Sequence, residues 1–327
     1  MIRSIYFSGI DELQFDIPLD QYAQAIQNPQ GILWVDFVGE EPEQAEEVLL
    51  KTFGFHPLAV DDALRETHVP KVDDWDTYLY IVLKDIHFQR GEGDFDALEL
   101  DVFMGHNYIV THHDLPSTTL NQVWEACQRD LRQFRHGADR ILYRLTDEIT
   151  TNYMSIIEEL DEEIDSVEDT VFSKPTPQMV QRIFTLKRVT LHLRRVISPL
   201  REVLNKLARD DFAVIDDRER VYFRDVYDHL VRLHDIAESL RDLVGGVLDT
   251  YLSVINNRMN EIMKTLTIIT TLFMPLSFIA GFFGMNFFLP EVPISTWMEM
   301  PVFTFVIILF LVLPVVMFSW IRRRGWM

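Results

Sequence analysis

Two stretches near the C-terminus carry no charged residue, Thr265 to Phe283 and Met300 to Ile321. Each is roughly 20 residues long, enough for an α-helix to cross a hydrocarbon core of about 30 Å. A pair of buried core helices would have similar composition, but two such runs back to back at a chain end read as transmembrane helices. The flanks orient them. Arg258 and Lys264 precede the first run, Arg322, Arg323 and Arg324 follow the second, and the loop 284–299 has neither Lys nor Arg. Positive charge marks the cytoplasmic side, so both termini are expected in the cytoplasm and the loop outside. Trp297, Trp320 and Trp326 stand at the span ends, where interfacial aromatics belong.

The rest of the chain contrasts with this segment. The 327 residues sum to a formal charge of −21, and the acids other than Glu291 and Glu299 lie ahead of the apolar runs. Such a balance excludes nucleic-acid binding, which needs a basic footprint, and suits a surface that gathers cations. Most of these acids read as solvated helix faces. Cys127 is the sole cysteine, so no intramolecular disulfide forms and a reducing cytosol is compatible. The N-terminal Met1-Ile2-Arg3-Ser4-Ile5-Tyr6 lacks a charged segment followed by an apolar run, so no signal peptide is expected.

The first span is not a plain anchor. Read at a repeat of about 3.5 residues, one stripe runs Asp249, Ser253, Asn256, Asn260, Met263, Thr267, Thr270, Met274, Ser277, Gly281 and Gly284. Much of it is polar or small, and polar groups in lipid face partners or water. Periodicity leaves two readings open, a packed helix–helix interface or a pore wall. Two helices cannot enclose a pore, so the second reading requires an oligomer. The second span, with Ile307 to Val312 apolar throughout, suits a lipid-facing position.

Residues 1–116 read as an α/β domain. Ile32–Phe37, Tyr78–Leu83, Leu98–Phe103 and Tyr108–Thr111 are expected as strands, and Glu41–Thr52 as a helix with Pro42 near its start. Residues 117–217 read as a helical hairpin. Leu145, Ile149, Tyr153, Ile156, Leu160, Ile164, Val167 and Val171 recur every three or four positions with acids between them, and Lys174-Pro175-Thr176-Pro177 breaks the helix. A second break falls around Asp210 to Asp217. From about Arg218 a helix of roughly 65 residues, or about 100 Å, is expected to run through a stalk, 218–264, into the first span, 265–283. Gly245-Gly246 is its weak spot. A helix so long needs neighbours, which again indicates an oligomer. The second span, 300–321, leads to a basic cytosolic tail, 322–327. No glycine-rich phosphate loop, HExxH or GxSxG is present, so an enzyme is not expected. His112-His113-Asp114 reads as a polar turn at a strand end rather than as metal ligands.

At the outer end of the first span stands Gly284-Met285-Asn286, within Met274-Pro275-Leu276-Ser277-Phe278-Ile279-Ala280-Gly281-Phe282-Phe283-Gly284-Met285-Asn286-Phe287. This resembles the CorA family of divalent metal (magnesium) ion transporters, whose hallmark is Gly-Met-Asn at this place. The resemblance extends through Arg224–His229, Asn260–Lys264, Pro70-Lys71-Val72 and His56-Pro57-Leu58, and covers essentially the whole chain. It implies a funnel-shaped homopentamer in the cytoplasmic (inner) membrane, with a cytosolic α/β domain, the first span lining a pore and the second outside it. Gly284, Met285 and Asn286 would form the outer ion-selecting ring. Ser277, Met274, Thr270, Leu266, Met263, Asn260 and Asp249 would line the pore inward. Glu291, in Leu289-Pro290-Glu291-Val292, would gather cations outside. The resemblance also implies a regulatory divalent ion between subunits, held by Asp62 and Asp225 with Asp61 and Asp147 as secondary candidates. Two departures are Phe283, where the family often has Tyr, and Ser277, where it often has Thr.

This chemistry suits Mg²⁺, which gives up its waters reluctantly. A ring of Asn286 amides and Gly284 carbonyls would hold the hydrated ion without a carboxylate cage, and apolar rings at Met263 and Leu266 could close by dewetting. The expected function is Mg²⁺ uptake regulated by internal Mg²⁺. The alternatives are a Zn²⁺, Co²⁺ or Ni²⁺ transporter of the same fold, with or without proton coupling, and a membrane-anchored scaffold or signalling protein with an inactive pore. Soft Cys or clustered His ligands that would favour Zn²⁺ are absent from the membrane segment.

Overall fold

The computed structural model describes residues 1–10, 12–65, 68–89, 94–284 and 300–324. The chain divides into two compact units, Met1–Asp249 and Thr250–Met327.

The first unit is built on a seven-stranded mixed sheet. Its strands are β1 (Ile2–Phe7), β2 (Leu13–Phe15), β3 (Ile32–Val38), β4 (Lys71–Asp74), β5 (Leu79–Gln89), β6 (Asp94–Met104) and β7 (Tyr108–His113), in the order β2-β1-β3-β7-β6-β5-β4. All neighbouring pairs are antiparallel except β3 with β7, which run parallel. The central strands are apolar on both faces because helices cover both. On one face Leu33, Val35, Phe37, Val82, Phe103 and Val110 pack against α1 (Leu19–Gln27), α2 (Pro42–Lys51) and α3 (Pro57–Arg65) through Ala25, Ala45, Leu49, Ala59 and Val60. On the other, Trp34 meets Trp124 of α4 (Thr118–Arg129) with ring centroids 4.6 Å apart, and α6 (Ala138–Ser173) lies across β5, β6 and β7.

The strands expected from the sequence at β3, β5, β6 and β7 are all present, as is α2. Two expectations need correction. The first concerns the helical stretch from Ser117. It is interrupted at Asp130 and again at Gly137, with the short α5 (Arg132–Arg135) between. Gly137 sits at φ +115°, and a Cβ there would meet the Asp139 carboxylate at 2.6 Å, so the interruption requires glycine. The second concerns His112 and His113. They are the last two residues of β7, only 4% and 1% exposed, not a surface turn. Buried carboxylates on the neighbouring strands β6 and β3 receive them, which is why the ladder continues through both.

After α6, residues 174–176 separate it from α7 (Pro177–Arg209), with which it forms a helical hairpin. Then α8 (Arg220–Gly284) runs as one helix of 65 residues, through Gly245-Gly246 and Pro275, in agreement with the single long helix read from the pattern. Its first part belongs to the first unit, where Phe223, Val226, Leu230, Leu233 and Leu240 are buried.

The second unit contains the remainder of α8 and α9 (Met300–Arg323). Both are long and apolar enough to cross a membrane. Their large side chains are exposed within the single chain, Phe278 by 73% and Leu311 by 67%, so lipid or further copies must cover them. The Thr265, Thr267 and Thr270 hydroxyls donate to the carbonyls of Glu261, Met263 and Leu266, four residues back. This satisfies the hydroxyls inside the helix without a neighbour.

Candidate ion pathway and cation sites

Along α8 the heptad-like spacing places Asn260, Met263, Thr270, Met274 and Ser277 on one stripe, with Leu266 beside it. All six are exposed in the single chain, Met263 and Leu266 by 56% each and Met274 by 71%. Asp249, further back, is exposed too. The stripe presents amide, hydroxyl, thioether and hydrocarbon groups, and no charge between Asn260 and Gly284 other than Glu261 and Lys264, which lie off it. Such a surface can pass a hydrated cation through weak contacts, because neutral oxygens accept hydrogen bonds from its water shell without replacing that shell. Gly284 is the last residue of α8. Met285, Asn286 and Glu291 lie outside the described residues.

The four acids named for regulation fall into two places. Asp61 and Asp62 are on α3. Asp61 is paired with Arg65, which also reaches Glu46 at 2.7 Å. Asp62 is held by Lys71 Nζ at 2.6 Å, and His68 Nε2 stands 3.6 Å from it. Lys71 contacts Asp73 as well, at 3.0 Å. Burial would lower the Lys71 pKa, but the two carboxylates outweigh it and hold the ammonium above its usual range. Lys71 therefore already supplies the positive charge that a cation would bring to Asp62. In the sequence Lys71 stands out only within Pro70-Lys71-Val72.

Asp147 and Asp225 converge elsewhere, around Tyr143 of α6. Asp147 is 3.5 Å from Arg144, and Asp225 is exposed on α8. Burial first, then the Asp147 charge and, less, that of Asp225 raise the Tyr143 phenol. The ring also packs on Tyr222 and Phe223, with centroids at 5.1 and 6.4 Å, and Arg140 lies over Tyr143 and Tyr222. No group of three His, Cys, Asp or Glu among the described residues is arranged to hold a metal ion within one chain.

The sheet contains a second set of charges that the sequence reading missed. Asp36 on β3 receives Arg3 Nε at 2.8 Å, the Thr111 hydroxyl at 2.6 Å and His113 Nε2 at 3.2 Å. Burial pushes this carboxyl up, but His113, Thr111 and Arg3 together hold it below its usual range. His113 in turn donates Nδ1–H to the Leu115 carbonyl at 2.6 Å. On β6, Asp101 accepts from Tyr80 at 2.7 Å and faces His112 Nδ1 at 3.7 Å. Here burial dominates and raises Asp101 to about 6, with Tyr80 and His112 opposing it. Asp85 on β5 accepts from Ser117 and Thr119 of the α4 start and from Asn152 of α6, tying both helices to the sheet. The three carboxylates are each held by neighbouring side chains, while His112 Nδ1, 3.7 Å from Asp101, stays outside hydrogen-bond distance. Their arrangement is that of a structural network, and the sequence carried no signal for it beyond the adjacent His112-His113, because the acids come beside them only through the strand register.

Comparison with known proteins agrees with this architecture. Residues 29–323 match the family described as CorA-like Mg²⁺ transporter protein. The cobalt/magnesium transport protein CorA of Thermotoga maritima is 38% identical over 260 residues, which is 79% of this chain and 74% of that protein. The putative metal ion transporter YfjQ of Bacillus subtilis is 35% identical over 260 residues, covering 79% and 80%. Among solved structures, the complete CorA magnesium transporter of Methanocaldococcus jannaschii superposes with a TM-score of 0.82 over 99% of this chain and 98% of that one, at 23% identity. The full-length CmaX protein follows the same fold with a TM-score of 0.74, at 22% identity over 98% and 96% of the two chains. With a family match over nearly its whole length, a two-helix apolar C-terminus and the long helix leading into it, this chain belongs to the CorA-like Mg²⁺ transporter family.

Proposed function

We propose that this chain conducts Mg²⁺ across the cytoplasmic membrane as a homopentamer, with both termini in the cytoplasm. The observation that carries this reading is the kinship with transporters named for magnesium and cobalt, joined to an α8 stripe that offers neutral oxygens. A hard cation that keeps its waters fits such a stripe, whereas a soft-ligand metal would want thiolate or imidazole. Co²⁺ is a second cargo, since its hydrated ion has the same charge and a similar size. In this reading Asn286 shapes the outer ring with Gly284 and Met285, and Glu291 concentrates cations ahead of it. Asp249, Asn260, Met263, Leu266, Thr270, Met274 and Ser277 line the path inward. Closure occurs at Met263 and Leu266, where apolar rings expel water.

Liposomes carrying the purified chain test it. Uptake of Mg²⁺, Co²⁺, Ni²⁺ and Zn²⁺ is compared with and without a pH gradient. Mg²⁺ flux independent of the gradient is expected, and Asn286→Ala should abolish it while native mass spectrometry still finds the assembled oligomer. Normal flux through a correctly assembled Asn286→Ala protein would remove Asn286 from the pathway. Absence of Mg²⁺ flux in the unmodified protein would overturn the function.

A further inference from the structure

The hairpin of α6 and α7 is segregated by charge. From Tyr153 onward α6 carries acids and no Arg or Lys, whereas α7 is rich in Arg and Lys with Glu202 its one acid. Opposite charges on adjacent helices would ordinarily pair across the seam. Here the cross-pair is Arg182 Nη2 to Glu163 Oε1 at 3.2 Å, and Glu163 is the buried acid of the run. Glu158, Glu159 and Asp165 are exposed instead, as are Lys187, Arg188 and Arg195, and none of the six has an oppositely charged partner among the described residues. The hairpin thus shows an anionic face on one arm and a cationic face on the other.

Their heights match. The Arg182–Glu163 contact fixes the antiparallel register, and one turn and a half further along the hairpin Lys187 and Arg188 come level with Glu158 and Glu159. Rotation about an axis running along the hairpin would bring the cationic face of one copy against the anionic face of the next at the same level. Two different patches meeting in this way make a heterologous contact, the kind that closes into a ring. The geometry also relieves a local cost. Acids at Glu158 and Glu162, Asp161 and Asp165, and Asp165 and Asp169 are four residues apart on one helix, where like charges repel. A cationic surface opposite them removes that repulsion.

We infer that the anionic face of α6, at Glu158 and Glu159, docks on the cationic face of α7, at Lys187 and Arg188, of a second copy of this chain. The inference rests on the ring assembly proposed above and names one of its contacts. The contact selects the neighbour and its register, since charge complementarity contributes specificity more than raw affinity.

Charge exchange tests it on the full chain in detergent. Glu158→Lys with Glu159→Lys, and separately Lys187→Glu with Arg188→Glu, should each weaken assembly about tenfold, read as the protein concentration at which native mass spectrometry loses the oligomer. Combining all four substitutions should restore it, which a merely misfolded variant would not do. A second measurement uses two differently tagged populations, one with Glu158→Cys and one with Lys187→Cys. A short bismaleimide should join the two tags only when the populations are co-assembled; Cys127 is buried and does not compete. No cross-tag product, or no recovery in the fourfold variant, overturns the contact while leaving the ring itself standing. Weakening by the α7 reversal alone also overturns it, because the cationic face would then serve another anion. A wild type that never forms an oligomer would overturn both the contact and the proposed assembly.

Discussion

Asp101 shows how one residue couples the sheet to pH. It is a carboxyl 2% exposed, accepting from Tyr80, and burial raises it to about 6 against an ordinary value of 3.8. A carboxyl raised on folding stabilises the fold fully below the unfolded value, and that stabilisation is lost as pH rises through the folded value. From about pH 4 to above pH 6 this group therefore works against the fold, by up to about 3 kcal/mol for a shift of roughly two pH units. Asp101→Asn keeps an oxygen for Tyr80 and removes the charge. The variant should track the wild type near pH 3 and surpass it increasingly up to neutral pH, read as thermal unfolding of the full chain across that range. A difference that stays constant with pH would show that Asp101 is not the titrating group. Asp36 acts in the opposite sense. Its folded value is depressed by His113, Thr111 and Arg3, so its contribution is present above the unfolded value and fades in acid. Neither role was legible in the sequence, because both depend on which strand lies beside which. The Asp101 to His112 pairing follows from the register of β6 against β7, and Asp36 reaches His113 only because β3 and β7 run parallel.

At the scale of elements, α8 is what the sequence announced most clearly. A helical period sustained from Arg218 to the first span, with no proline before Pro275, allows little else. Strands β3, β5, β6 and β7 were legible for a related reason, since runs such as Ile32-Leu33-Trp34-Val35 are buried on both faces. The elements that escaped are short or mixed. In β1, Arg3 and Ser4 interrupt the apolar pattern; the Arg3 guanidinium pairs with Asp36 of β3, and the Ser4 backbone N–H donates to Asp16 just after β2. In α3, a helix of nine residues begins at Pro57 without an acid in its first turn. Within α8, Gly245 and Gly246 were marked as a weak point, yet the helix continues through them, and among the described residues nothing beyond the helix's own adjoining backbone stands within 4 Å of a Cβ at either. Gly245→Ala and Gly246→Ala should therefore each raise the thermal midpoint, by the equivalent of about 1 kcal/mol from helix propensity and reduced unfolded-state freedom. A lowered midpoint would mean that a neighbouring copy packs closely on the glycines. In that case the same variants should also lose oligomer in native mass spectrometry.

At the scale of the whole molecule the question is how internal Mg²⁺ would restrain its own entry. A ligand shifts a conformational equilibrium only through a difference in its affinity for the two states. Carboxylates that face each other between subunits provide such a difference, because a divalent ion bridges them in one arrangement and they repel in its absence. Asp62 and Asp225 are proposed for that role. In the single chain, however, Lys71 already lies 2.6 Å from Asp62, and it also holds Asp73 at 3.0 Å. An arriving Mg²⁺ would share Asp62 with this ammonium, which weakens the ion's grip and places its working range at high internal concentration. Two variants separate these contributions. Asp62→Asn with Asp225→Asn removes the proposed ligands, so Mg²⁺ should lose most of its protection against limited proteolysis and most of its inhibition of flux. Lys71→Met leaves both acids and removes the competitor, so protection should set in at a lower Mg²⁺ concentration than in the wild type. If the double Asn variant keeps the wild-type Mg²⁺ response, these acids are not the sensor. If Lys71→Met shifts the response to higher concentration instead, Lys71 supports the site rather than competing for it, and the positioning of Asp62 by its ion pair becomes the part of the switch that matters.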